Sequence, residues 1–76
     1  MAIIDADKVL SDFGEILLSH RKKANLSQRQ LAAKCDTEVA DIGRYERGEI
    51  NPTLITIIDI ARGLDIAPYL LLHGLK

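Results

Sequence analysis

With a single cysteine, Cys35, the chain can form no internal disulfide and no cysteine metal cluster. No apolar run approaches the ~18 residues of a membrane span. The opening Met1-Ala2-Ile3-Ile4-Asp5 has neither the basic region nor the long apolar stretch of a signal peptide. His20 and His73 stand far apart with no ligand spacing around them and are expected at the surface or its boundary. A glycine-rich phosphate loop, a nucleophile–base set and a metal motif are all missing. No catalysis, cofactor, metal or small-molecule ligand is therefore expected, and the absences together imply a cytoplasmic protein. Strand-like alternation, internal repeats and low-complexity segments are absent too, which leaves helical periodicity as the organising signal.

Apolar residues make up 47 % of the 76, enough for one core and one domain spanning 1–76. The net charge of −1 does not by itself suggest a polyanionic partner, but its distribution is uneven. Residues 1–20 sum to −3, residues 21–48 to +3 and residues 49–76 to −1. Local charge outweighs net charge because salt screens fields beyond about 8–10 Å.

Five helices are expected, at about 7–23, 28–35, 38–47, 54–62 and 68–73. In the first, Val9, Phe13, Ile16, Leu17 and Ala24 form one apolar stripe. Its acids lie early, and Arg21, Lys22 and Lys23 lie in the last turn, as the macrodipole favours. Asn25 suits a left-handed stop. Ser27 and Gln30 make an S-x-x-Q capping box for the second helix. Leu31 there points to the core, and Ala32 is small enough for the third helix to come close. The third helix turns Ile42 and Tyr45 inward and closes on Gly48 in a left-handed conformation. Thr53 caps the fourth, whose buried stripe is read as Leu54, Ile57, Ile58 and Ala61, with Gly63 ending it. Pro68 sits in the first turn of the fifth. Two short helices joined by a tight turn at about 27–47 have the form of a helix-turn-helix, which sets its second helix into the DNA major groove.

The combination Arg21, Leu26-Ser27-Gln28, Leu31-Ala32, Ile42, Arg44, Glu46-Arg47-Gly48, Asn51-Pro52, Ala61 and Leu64 resembles the Cro/phage-repressor (xenobiotic-response-element) family of helix-turn-helix regulators. The likeness covers residues 13–72. In its compact length the chain is similar to restriction–modification controller proteins, and also to some antitoxins. The resemblance implies an all-α, five-helix domain that binds double-stranded DNA as a homodimer and regulates transcription. The alternative is a protein-interaction module or antitoxin of the same fold, with weak or lost DNA reading.

The family places a phosphate-contacting glutamine at Gln28, at a helix start where free amides and a polar side chain can hold an anion. Ser27 is chiefly a cap, with amides that can add a phosphate contact. Arg21 and Glu46 match a partly buried ion pair of the family, and the spare donors of Arg21 can touch phosphate. Bases are read by the family from positions that here hold Glu38, Val39, Ala40 and Arg44. Val39 and Ala40 can pack on thymine methyls but cannot hydrogen-bond a base edge, and Glu38 can accept from cytosine N4. Glu38 and Asp41 also repel phosphate; for Asp41 the favoured reading is a favourable interaction with the helix start. Arg44 can donate twice to guanine or reach a phosphate. Gly43 either lets the helix backbone approach DNA or relieves crowding between helices. Arg47 and Asn51 occupy a region where relatives grip the backbone, with Glu49 an awkward neighbour. Cys35 falls at a usually apolar position and is expected to be a small buried side chain.

The C-terminal third carries too many apolar groups for one face of short helices. Ile55 and Ile60 lie off the main stripe, and Tyr69, Leu70, Leu71 and Leu72 are consecutive. These six are the expected contacts of a two-fold dimer that would present two recognition helices about one DNA turn apart, ~34 Å.

Overall fold

The computed structural model describes residues 3–75; Met1, Ala2 and Lys76 of the expected 1–76 domain lie outside the described residues. Among the described residues the chain runs α1 (Ala6–Lys23), α2 (Gln28–Ala32), α3 (Val39–Glu46), α4 (Leu54–Gly63) and a 3₁₀ turn (Pro68–Leu71), with no strand. Helices α1, α2 and α4 start on side-chain caps. The Asp5 carboxylate accepts from the Lys8 N–H at 3.1 Å. Ser27 Oγ accepts from the Gln30 N–H at 3.0 Å while Gln30 Oε1 accepts from the Ser27 N–H at 2.8 Å, so the capping box is formed. Thr53 Oγ1 accepts from the Thr56 N–H at 3.1 Å.

Three helices end in one motif, with a left-handed residue at Asn25 (φ 63°), Gly48 (φ 72°) and Asp65 (φ 57°). After α3 the Gly48 N–H donates to the Tyr45 carbonyl at 3.1 Å and the Glu49 N–H to the Arg44 carbonyl at 2.9 Å. This is the Schellman arrangement, which satisfies carbonyls left free at a helix end. The stop after α4 therefore falls on Asp65 and not on Gly63. Gly63 is the last helical residue and is buried; a Cβ there would lie 3.1 Å from Leu31 Cδ1 and 3.2 Å from Cys35 Cβ.

Two elements are shorter than the periodicity suggests. The expected helix at 28–35 stops at Ala32, because the Lys34 and Cys35 amides reach back only three residues, to Leu31 and Ala32. Asp59 on α4 then draws the chain off the helical path. Its carboxylate accepts from the Asp36 N–H at 3.0 Å and from the Thr37 hydroxyl at 2.7 Å. The expected fifth helix is the 3₁₀ turn, in which Leu70 and Leu72 donate to Ala67 and Tyr69. Such a short segment does not repay the cost of nucleating an α-helix.

The core comprises Phe13, Leu17, Leu31, Ile42, Tyr45, Ile60, Ala61, Leu64 and Leu71. Leu17, Leu31, Ile42, Ile60 and Leu71 have no exposed surface. Each contributes ~1.5–3 kcal/mol relative to an exposed side chain. This corrects two expected dimer contacts: Ile60 and Leu71 belong to the interior of the protomer. The inner face of α4 is Ile57, Ile60, Ala61 and Leu64, one step round from the stripe expected, and Leu54 is 66 % exposed. Ala24 is exposed as well, beyond the end of the α1 stripe. No described helix is long and apolar enough to cross a membrane.

Candidate nucleic-acid interface

Helix α3 is amphipathic over only eight residues. Ile42 and Tyr45 are buried in the core, and on the opposite side Ala40 and Arg44 are exposed while Val39 and Asp41 are half-buried. Glu38 is its N-terminal cap residue but makes no side-chain capping bond, and its side chain is exposed. One face of α3 is therefore free of its own protomer.

The seating of α3 depends on a carboxylate at its end. Glu46 accepts from Arg21 Nε at 2.6 Å and from Arg21 Nη2 at 3.0 Å, while Arg21 Nη1 donates to the Leu26 carbonyl at 2.9 Å. The two side chains are only 11 % and 5 % exposed. Hydrogen bonding to Glu46 pushes the Arg21 guanidinium above its ordinary pKa, with burial opposing. Arg21 thus ties α1 to the end of α3, and its bonds turn it away from the outer surface of α3.

Glu46 has a second partner that the sequence did not reveal: Gln28 Nε2 donates to its Oε1 at 2.9 Å. Gln28 is half-buried, so its amide is aimed by α3 instead of swinging free from α2. Gly43 lies beneath it. A Cβ on Gly43 would stand 3.5 Å from Gln28 Oε1 and 3.0 Å from Arg47 Nη1. Gly43 is buried under these two side chains. Gln28 and Arg47 are brought together above it, with Arg44 exposed on the same short helix.

Both arginines of α3 and its cap meet acids. Arg47 Nε donates to Glu49 Oε2 at 2.6 Å, and Arg47 Nη2 lies 3.4 Å from Glu49 Oε1. This pair is exposed, and Arg47 holds the Glu49 carboxyl below its ordinary range. Arg44 Nη1 approaches Asp41 only at 3.5 Å, an exposed contact that leaves most of its donors available. Asn51 is exposed beyond the turn, and Ser27 is consumed by its cap.

Two residues essential to this geometry escaped the sequence reading. Gly14 of α1 is buried where α1 crosses the end of α3; a Cβ there would collide with the Glu46 carbonyl and lie 2.6 Å from the Tyr45 carbonyl. A glycine inside an amphipathic helix costs about 1 kcal/mol relative to alanine, and that was the available signal of close packing. Asp59 is the second, a lone acid within the apolar run of α4. Cys35 is half-buried and donates to the Leu31 carbonyl at 3.3 Å; burial raises its thiol pKa, as suits a packing role. His20 and His73, expected as unrelated surface residues, line one groove between α1 and the C-terminal segment. Among the described residues no set of three His, Cys, Asp or Glu side chains is grouped to hold a metal.

The helix-turn-helix family HTH_3 matches residues 17–71, which runs from the second half of α1 through α2, α3 and α4 to the 3₁₀ turn. The chain belongs to the HTH_3 helix-turn-helix family. Among its HTH_3 relatives, the control protein C.SmaI of Serratia marcescens is 44 % identical over 78 residues, covering 95 % of this chain and 93 % of that protein. The restriction-modification controller protein C.AhdI of Aeromonas hydrophila is 37 % identical, with a TM-score of 0.79 over 82 % of this chain and 94 % of that one. The controller protein C.Esp1396I is 24 % identical and covers 88 % of each chain with a TM-score of 0.79, a likeness of fold alone. This HTH_3 protein is thus a helix-turn-helix regulator of the Cro and controller-protein type, and its relatives are controllers rather than enzymes.

Proposed function

We propose that the chain is a controller of restriction–modification genes that binds a near-palindromic operator as a homodimer. The observation that carries this reading is the free face of α3, where Arg44 is exposed and Gln28 and Arg47 converge over Gly43. Arg44 is the base reader, donating to guanine O6 and N7. Gln28, held by Glu46, is the phosphate contact, with Arg47 and Asn51 beside it. Val39 and Ala40 pack on thymine methyls, and Glu38 faces the groove edge. The identity to a named control protein over almost the full length of both chains supports the same role.

Selection of bound sequences from a random duplex pool, followed by titration at several salt concentrations, tests the reading. Binding through phosphates weakens with a slope of about −0.9 in log K per phosphate against log salt. Arg44→Ala is expected to relax preference at one base pair per half-site by about 1–3 kcal/mol, whereas Gln28→Ala weakens all duplexes alike. The acids Glu38, Asp41 and Glu49 around α3 favour a second reading, an interaction module or antitoxin. A flat salt response with no preference among duplexes is the result that selects it.

The dimer surface draws on Ile55, Tyr69 and Leu72, which are 74 %, 67 % and 42 % exposed, on Leu54, which is 66 % exposed, and on half-buried Leu70. Large apolar side chains left exposed by the fold are available for association. Ile55→Glu is expected to yield a monomer by sedimentation and to weaken operator binding, because the avidity of two linked half-sites is lost. A dimer that persists with unchanged affinity places the interface elsewhere.

A further inference from the structure

We infer that Glu49 is an internal occupant of the phosphate position at Arg47, a built-in competitor that lowers affinity for every duplex without altering base preference. The inference rests on the DNA reading above. Three observations carry it. First, Glu49 takes the Nε–Nη2 edge of the guanidinium, with bonds of 2.6 and 3.4 Å. That edge is the fork that grips two oxygens of a phosphate as readily as two of a carboxylate. Second, the occupied guanidinium lies over Gly43 next to the amide of Gln28. A phosphate reaching Gln28 therefore meets Arg47 with its fork already filled. Third, the position of Glu49 is set by the main chain. The Schellman turn holds its backbone through the bond from its N–H to the Arg44 carbonyl at 2.9 Å, while the left-handed conformation falls on Gly48. The carboxylate is thereby returned to Arg47 while contributing nothing to the turn. Both side chains stay more than half exposed, so the pair is open to displacement.

A cycle of four proteins tests this: wild type, Glu49→Gln, Arg47→Ala and the double variant, titrated by fluorescence anisotropy with one selected and one scrambled duplex at several salt concentrations. Glutamine keeps the size of the side chain and the backbone turn, so thermal melts are expected to coincide. Glu49→Gln is expected to tighten both duplexes by about two- to fivefold, the range of an exposed ion pair. It should also steepen the salt slope by about 0.9, one additional phosphate. In the Arg47→Ala background the same change should give a far smaller gain and no steeper slope. An equal gain in both backgrounds would show that Glu49 merely repels DNA at a distance, and no gain would show that Arg47 faces no phosphate; either result overturns the inference while leaving the DNA reading intact. Failure of all four proteins to bind any duplex overturns both.

Discussion

Glu46→Ala is expected to lower the free energy of unfolding by about 3–5 kcal/mol, the cost of stranding one member of a buried ion pair. Arg21 is left with its charge 11 % exposed and only the Leu26 carbonyl as acceptor. In a domain of this size each kcal/mol corresponds to roughly 4–8 °C, so the melting temperature followed by circular dichroism should fall by at least about 12 °C. A loss below about 1 kcal/mol, typical of exposed pairs, would contradict the burial of the site. The combined replacement Arg21→Met with Glu46→Leu separates stability from positioning. Well-packed apolar side chains often match or exceed a buried ion pair in stability. Much of the lost stability should therefore return, while Gln28 still lacks the acceptor that aims it. DNA affinity is expected to stay low in the stable double variant. Recovery of both properties together would show that Gln28 orients itself without Glu46.

Gly14→Ala is the second large effect, expected to cost about 2 kcal/mol net. A methyl group at Gly14 meets the backbone carbonyls of Tyr45 and Glu46, and backbone cannot rotate out of the way as a side chain can. Relief requires α1 and the end of α3 to separate, which stretches the Arg21–Glu46 bonds at the same crossing. Overpacking of a well-filled interior costs 1–3 kcal/mol in general, and the rigid neighbours put this site at the upper end. The substitution also removes a helical glycine, worth about 1 kcal/mol in the opposite direction. Chemical denaturation reads the net result. A variant as stable as the parent would mean that the helices part freely at this crossing.

The parts of the fold that were legible in the sequence are the ones governed by local interactions. Ser27 and Gln30 satisfy each other's backbone within a single turn, so their capping box needs no tertiary partner. Asn25 and Gly48 stop helices because of their own backbone preferences, and Thr53 caps a helix within reach of its own chain. The Arg21–Glu46 pair was legible for another reason: it came with the family resemblance, since a separation of 25 residues carries no local signal.

The segment Leu54-Ile55-Thr56-Ile57-Ile58-Asp59-Ile60-Ala61 is apolar on nearly every side, and such a helix has no preferred face until something packs against it. Periodicity therefore leaves its phase open, and packing puts Ile60 in the core where the stripe would put Leu54. Leu71 lies within a run of apolar residues whose 3₁₀ geometry places only one of them fully inside the protomer. The length of α2 depends on an acid of α4, Asp59, which claims the turn that follows it.

By itself, the sequence determined where helices begin, the left-handed stops at Asn25 and Gly48, that a helix-turn-helix is present, and which side of α3 is polar, because caps, turns and periodicity act over a few residues. The tertiary structure alone decided which apolar side chains of the C-terminal third are interior, that Gly14 lets two helices touch, and that the Glu46 carboxylate holds Gln28. Those outcomes depend on contacts between residues distant along the chain, whose spacing is fixed only once the core has closed.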